Sequence, residues 1–227
     1  MNSEIKTALL VIATGEKYRQ YAAQLIESAK KYFVVCDILL WTDTTFMSGA
    51  TRTFIKEPLG FPQETLQRYS TFLTQREILQ GYKHLYYVDS DMLFVSPIKE
   101  EDIFSSGITA TLHPGYVGMP GTPERNPASR AFIPWHATNK YFCGGFNGGT
   151  SWHFLWMAGR IKECVDIDAA NGITACWHDE SYLNSFLYYN NPPSRILGPE
   201  YCYPEGCERN YVGHMLGEPK LIALTKT

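Results

Sequence analysis

Residues 7–14, TALLVIAT, form an apolar run without alternation, and Gly15 stops it. A short run greasy on both faces is expected of a strand covered on two sides, the condition inside a parallel sheet. The period then changes. Tyr18, Tyr21, Ala22, Leu25, Ile26, Ala29 and Phe33 recur at three- and four-residue steps, so a helix with one apolar face is expected over about residues 16–33. Residues 36–43, CDILLWTD, repeat the strand signature. Strand, helix and strand at this spacing build a parallel pair through a right-handed crossover, and such sheets take ligands beyond the carboxyl ends of their strands. The expected class is α/β.

The rest of the chain extends that reading. GFPQETLQRYSTFLTQREILQGY carries Leu66, Tyr69, Leu73 and Arg76 at helical spacing, with Gly81 as the stop. HLYYVDSDMLFVSP, residues 84–97, reads as a mostly buried strand; residues 102–104 as a helical turn; GITATLHPG as another strand. Residues 114–140, rich in Pro, Gly, Asn and Arg, read as a long loop that is ordered only if it has a function. A helix over about residues 151–170 presents Phe154, Met157, Ala158, Ile161, Cys164 and Val165 on one face, and another is entered near Ser181. Beyond Pro199 a loop-like tail is expected. No repeat or linker divides the chain, so one domain over 1–227 is expected.

With 227 residues, 44% of them hydrophobic, there is enough material for a sizeable core. A formal net charge of -3 and no block of Lys or Arg argue against a nucleic-acid partner. No apolar run approaches the roughly 20 residues that span a bilayer, and the start lacks a basic region or cleavage site, so a soluble, cytoplasmic protein is expected. The six cysteines include no CxxC and none at zinc-ligand spacing to a His. Free thiols are expected; only Cys202 and Cys207 are close enough in sequence to close a turn.

Four segments could carry chemistry. Asp89 and Asp91 lie two apart, so in extended backbone they face one side and can converge on a ligand at a strand end. Bare, they would repel, and a divalent cation would resolve that. The plainer reading is a DSD turn, although the flanking LYYV and MLFV make unpaired acids costly. In WHDES, Asp179 could be an ordinary helix cap, or His178, Asp179 and Glu180 could line a pocket from a loop entering a helix, with Trp177 as core or as a platform for a sugar ring. His113 of HPGY could bond a hydroxylated ligand or be structural. The glycines of CGGFNGG permit either close approach to a ligand or tight bends, and no helix starts there as a dinucleotide fingerprint requires.

Taken in order, VDSDM, TLHPGY, GGFNGG, AANGI, WHDESYLN and GPEY resemble glycosyltransferase family six over nearly the whole chain. The resemblance implies a GT-A-type fold with a Rossmann-like mixed sheet, its nucleotide-binding half at about residues 1–95 and its acceptor and catalytic half at about 96–227, and retaining α-1,3 transfer of N-acetylgalactosamine or galactose from a UDP-sugar donor to a galactose-containing acceptor glycan. It implies that Asp89 and Asp91 hold Mn²⁺, or Mg²⁺ or another divalent ion, against the diphosphate, with Ser90 between them, and Lys220 or Lys226 of the tail could reach that diphosphate. By the same resemblance Ile12, Ala13, Thr14 and Tyr18 surround the nucleotide, and Arg68, Cys143, Gly144, Gly145 and Asp179 meet the donor. Glu180 is the carboxylate at the reacting centre, and His113, Trp177 and Glu180 contact the acceptor. Many bacterial members carry Asn at the acidic pair, so Asp here favours metal dependence. Gly145 resembles the roomier pocket of N-acetylgalactosamine users, whereas Cys143 matches neither blood-group type and YCYPEGC departs from the mammalian pattern. The lack of a stem fits a short microbial or phage type. The competing expectations are a Ca²⁺-dependent sugar-binding module without turnover and a nucleotide-sugar hydrolase.

Overall fold

The computed structural model describes residues 6–135, 139–207 and 216–226. Strand β1 (Thr7–Ala13) is buried at every position, and Gly15, at φ 80°, turns the chain into helix α1 (Glu16–Tyr32). Glu16 in its first turn and Lys30 and Lys31 in its last complement the helix dipole. Strands β2 (Asp37–Thr42) and β3 (Arg52–Ile55) follow, then short helices α2 (Gln63–Leu66), α3 (Arg68–Leu73) and α4 (Arg76–Leu79), and strands β4 (His84–Val88) and β5 (Met92–Phe94). After α5 (Glu100–Ile103) come β6 (Ile108–Leu112), β7 (Phe142–Thr150), α6 (Ser151–Ala170), α7 (His178–Asn190), β8 (Ser194–Leu197), β9 (Tyr203–Pro204) and β10 (Leu221–Ala223).

Seven strands make one sheet in the order β3-β2-β1-β4-β7-β6-β8. All neighbours are parallel except β7, which runs antiparallel to both β4 and β6. The chain grows from β1 to one side through β2 and β3, then crosses to the other side for β4, so the switch in strand order lies between β1 and β4. Side-chain alternation sorts the strand residues into two cores. Leu10, Ile12, Trp41, Leu85 and Tyr87 pack with residues of α3, α6 and α7, while Leu9, Val11, Leu40, Tyr86 and Val88 pack with α1.

The structure departs from the sequence reading at four places. The helix expected after GFP is three short pieces: the Thr65 and Thr74 hydroxyls donate to the Pro62 and Thr71 carbonyls at 2.9 and 2.7 Å, competing with continuous helical bonding. HLYYVDSDMLFVSP is two strands, because the Met92 amide donates to the Asp89 carbonyl at 3.2 Å and β5 leaves for a second sheet, ordered β5-β10-β9. The tail is therefore more than loop, since β10 pairs antiparallel with β5 and parallel with β9. CGGFNGGT is a central strand whose glycines let neighbouring backbones and rings approach. Residues 136–138 of the long loop, 208–215 of the tail, 1–5 and 227 lie outside the described residues. The described part of the loop is fixed by the wholly buried Asp168, which accepts from Ser129 Oγ at 2.6 Å, Tyr182 OH at 2.8 Å and the Arg130 amide at 2.8 Å.

A methyl at Gly148 would come 2.3 Å from the Tyr86 ring and 2.5 Å from the Leu85 carbonyl, whereas one at Gly159 on α6 meets nothing within 4 Å. Gly148→Ala should therefore lower stability by about 1–3 kcal/mol through overpacking. Gly159→Ala should raise it by roughly 0.5–1 kcal/mol through helix propensity. Thermal denaturation of both variants checks the pair.

Candidate active site

The carboxyl ends of β1 and β4, at the switch in strand order, open into a cavity of about 330 Å³. Ile12, Thr14 and Tyr18 line it from the β1 side, Arg68 from α3, and Tyr87, Asp89, Ser90 and Asp91 from the end of β4; Pro58, Phe61, Glu64 and Lys226 close it. This is where an open α/β sheet is expected to take its ligand. Ala13 is the one residue of the β1 set whose side chain points elsewhere, into the core beneath α1.

Arg68 ties the site together. Almost wholly buried, its Nη2 donates to Asp89 Oδ1 at 2.8 Å, its Nη1 contacts Asp179 Oδ2 at 2.6 Å and donates to the Gly144 carbonyl at 3.2 Å, and its guanidinium lies 4.2 Å over the Tyr87 ring. Burial opposes its charge, but Asp179 and Asp89 outweigh burial and hold it protonated. The Tyr87 hydroxyl also donates to Asp89 Oδ1. Asp89 and Asp91 flank the turn that leaves β4. Burial, then the charge of Asp89, raises the Asp91 carboxyl above its ordinary range, and Lys226 Nζ at 2.9 Å opposes the shift. Lys220 goes elsewhere, donating to the Pro97 carbonyl at 3.3 Å.

Strand β7 supplies the facing wall. Its pairing with β6 shifts register between Ala110 and Leu112, so the four residues 143–146 stand against Thr111 alone and the strand bulges. The Asp89 amide still donates to the Gly145 carbonyl at 2.8 Å. A Cβ at Gly144 would face Arg68 and Asp179, and one at Gly145 would lie 3.2 Å from Asp89 Oδ2 and 3.1 Å from Met92 Sδ. Cys143 is buried, with its thiol beside that of Cys202 rather than in the cavity, and the six cysteines are free thiols.

Helix α7 brings the remaining acids. Trp177 occupies its N-cap position and His178 takes φ 48°, a conformation that turns Asp179 and Glu180 inward in the first helical turn while the His178 ring meets Phe61 edge-on at 4.8 Å. Asp179 is thus the second residue of the helix and not its cap. Burial lifts the Asp179 carboxyl to about 6 against the pull of Arg68, and lifts Glu180 to about 7 although the Gly144 amide donates to Glu180 Oε2 at 2.8 Å. The buried Tyr141 hydroxyl lies beside Glu180 without completing a hydrogen bond of normal geometry. His113 stands behind it: its amide donates to the Tyr141 carbonyl at 2.9 Å, its Nδ1 accepts from the Gly115 amide at 3.0 Å, and its ring centre is 5.7 Å from that of Tyr141. Trp177 is half exposed in an adjoining trough.

Sequence reasoning missed Tyr87, Glu64 and Tyr141. For Tyr87 a signal existed, since it stands two residues before Asp89 on the same side of an extended segment. Nothing local marked Glu64, which accepts from Thr14 Oγ1 at 3.2 Å and pairs with Lys56 at 2.7 Å.

A helix-flanked, mixed seven-stranded sheet with an acidic pair and a buried arginine at its switch point is a GT-A-like glycosyltransferase fold. A profile of glycosyltransferase family 6 matches residues 64–218, and the chain belongs to that family. It is 29% identical over 94% of its length to histo-blood group ABO system transferase 2 of Rattus norvegicus, and 34% identical over 86% to transferase 1 of the same species. An O-antigen biosynthesis glycosyltransferase of Escherichia coli is 28% identical over 79% of the chain and 76% of its own length. The chain spans 66% and 60% of the two rat proteins. No described helix is long and apolar enough to cross a membrane.

Because the folded-state value of Glu180 is raised from 4.5 to about 7, the folded protein binds a proton there that the unfolded chain gives up from about pH 4.5 upward. Stability is therefore lost as pH rises through that window and the loss levels off above about 7. Glu180→Gln should be more stable than the wild type at pH 8, by an order of magnitude of a few kcal/mol, and close to it at pH 4.5. Denaturant titrations at the two pH values read the difference.

Proposed function

We propose that this chain is a metal-dependent retaining glycosyltransferase that moves N-acetylgalactosamine or galactose from a UDP-sugar, in α-1,3 linkage, to a galactose-containing acceptor. The observation that carries the reading is that Arg68 draws Asp89 and Asp179 together at the switch-point cavity, with Glu180 held beside them by the Gly144 amide. Ile12, Thr14 and Tyr18 suit the nucleoside end of that cavity. Matches to transferases named for blood-group and O-antigen synthesis support the same class.

The acidic pair fits a hard divalent ion. Asp91 is strained by burial and by Asp89, a conflict a cation relieves. Among the described residues no group of three or more His, Cys, Asp or Glu forms a cage, so the rest of the shell would come from diphosphate oxygens and water, the habit of Mn²⁺ and Mg²⁺. Bound there, the ion would supply Lewis-acid neutralisation of charge on departing UDP. The side chains do the remaining work. Arg68 fixes both aspartates, Asp179 would accept from sugar hydroxyls, Lys226 offers a second cation at the cavity edge, and burial keeps Glu180 poised to ionise near neutral pH. As a carboxylate it serves either as nucleophile or as stabiliser of oxocarbenium-like charge. Glycine at 145 keeps the wall beside Asp89 and Met92 open, which favours N-acetylgalactosamine as the donor sugar.

UDP release from UDP-N-acetylgalactosamine and UDP-galactose, measured over a panel of β-galactosides, tests this. Acceptor should accelerate release, and chelator should abolish it. Acceptor-independent release would make the protein a hydrolase, and glycan binding without turnover a sugar-binding module. Asp91→Asn should keep the fold and cut turnover roughly 100-fold. If ionised Glu180 is required, kcat/KM should rise with pH to a plateau above about 7, and that rise should be absent from the residual activity of Glu180→Gln.

A further inference from the structure

Tyr87 lines the switch-point cavity two residues before Asp89, on the same side of extended backbone. Its surroundings leave it one arrangement. The residue is 2% exposed, the Arg68 guanidinium lies 4.2 Å over its ring centre, and the Phe72 ring of α3 packs at 5.4 Å. Strand β4 is paired on both sides here, with Leu10 of β1 and Asn147 of β7 opposite Tyr87, so the backbone is equally fixed. A hydroxyl at that depth needs a partner, and it donates to Asp89 Oδ1.

The same oxygen accepts from Arg68 Nη2 at 2.8 Å. A carboxylate has about four lone-pair sites on its two oxygens, so two donors saturate Oδ1. The main chain holds this orientation, because the Asp89 amide donates to the Gly145 carbonyl at 2.8 Å and the Asp89 carbonyl accepts from the Met92 amide at 3.2 Å. Oδ2 lies toward Gly145, 3.2 Å from where a Cβ would sit, and the missing side chain leaves room in front of it. Asp91 is held less firmly. Its Oδ2 meets Lys226 Nζ at 2.9 Å, and that side chain is 59% exposed, so an entering cation can displace the amine. Asp89 thus presents one oxygen and withholds the other. Coordination through a single oxygen suits a small ion that demands near-octahedral geometry, whereas Ca²⁺ takes a larger, looser shell in which carboxylates can bind through both oxygens.

Resting on the metal-dependent glycosyltransferase reading, we propose that Tyr87 is a positioning residue for the cation: with Arg68 it occupies Asp89 Oδ1, confines Asp89 to one-oxygen coordination, and so selects Mn²⁺ or Mg²⁺ against Ca²⁺. It acts through Asp89 and not on the donor.

The test reads binding without turnover. With UDP present, loss of the free Mn²⁺ paramagnetic resonance signal gives the Kd for Mn²⁺, and displacement of bound Mn²⁺ by Ca²⁺ gives the Kd for Ca²⁺. The wild type should prefer Mn²⁺. Tyr87→Phe keeps the ring under Arg68 and deletes only the hydroxyl. It should weaken Mn²⁺ binding about tenfold, the usual scale for losing an outer-shell partner, and leave Ca²⁺ as tight or tighter, so the preference falls by a similar factor. Tyr69→Phe is the control: it deletes a neighbouring buried hydroxyl, 3.5 Å from Asn147 Oδ1, and should leave the preference unchanged. An intact preference in Tyr87→Phe, or an equal fall in Tyr69→Phe, overturns the proposal. So does a wild type that binds Ca²⁺ as tightly as Mn²⁺, a result that needs no variant. If the wild type binds no Mn²⁺ with UDP present, the metal-dependent reading fails and this proposal falls with it; Mn²⁺ binding with a preference that Tyr87→Phe does not move fails the proposal alone.

Discussion

A guanidinium buried between two carboxylates is the constraint on which the catalytic end of this molecule depends. Arg68 from α3 meets Asp89 from the end of β4, Asp179 from the start of α7 and the Gly144 carbonyl from β7, over the face of Tyr87. No partner could leave the cluster cheaply, because an uncompensated charge at that depth costs several kcal/mol. The cluster therefore fixes the relative positions of elements far apart in sequence and shapes the electrostatics of the cavity beside them. It also leaves Asp91, which has no share in Arg68, as the acid with unresolved repulsion, answered here by Lys226.

The sheet makes this convergence possible by inserting one antiparallel strand. Because β7 runs against β4 and β6, its first residues, not its last, lie beside the carboxyl end of β4, and the bulge over residues 143–146 brings glycine backbone against the acids. The Gly144 amide can then hold Glu180 and its carbonyl can hold Arg68. Side chains at these positions would occupy the space between Asp89, Asp179 and Glu180.

Much of this was legible beforehand, for identifiable reasons. The unit from β1 to β2 could be read because hydrophobic period is a local property, and α1, α6 and α7 followed from the same signal. Asp89, Asp91, Asp179 and Glu180 stood out as acids in greasy or aromatic settings, where burial is costly unless something compensates. What was misread turned on competition between local and distant partners. The long helix broke where threonine hydroxyls offered the backbone carbonyls other donors, the single strand expected over 84–97 split at the DSD turn between two sheets, and the tail found β5 as a partner through contacts more than a hundred residues apart.

Local order in the chain was enough to specify an α/β sheet, the carboxyl-end location of a ligand site, and a set of acids that need compensation, because strand and helix periods and the cost of burying charge act over a few residues. It could not specify which charges pair, which thiols face away, or which aromatic rings share a cavity. Those depend on distances between segments that only close packing brings together: Arg68 to Asp179, Gly144 to Glu180, Glu124 to Cys176. The ionisation state of Glu180 belongs to the same category, because its rise to about 7 comes from desolvation by elements that no neighbour in sequence supplies.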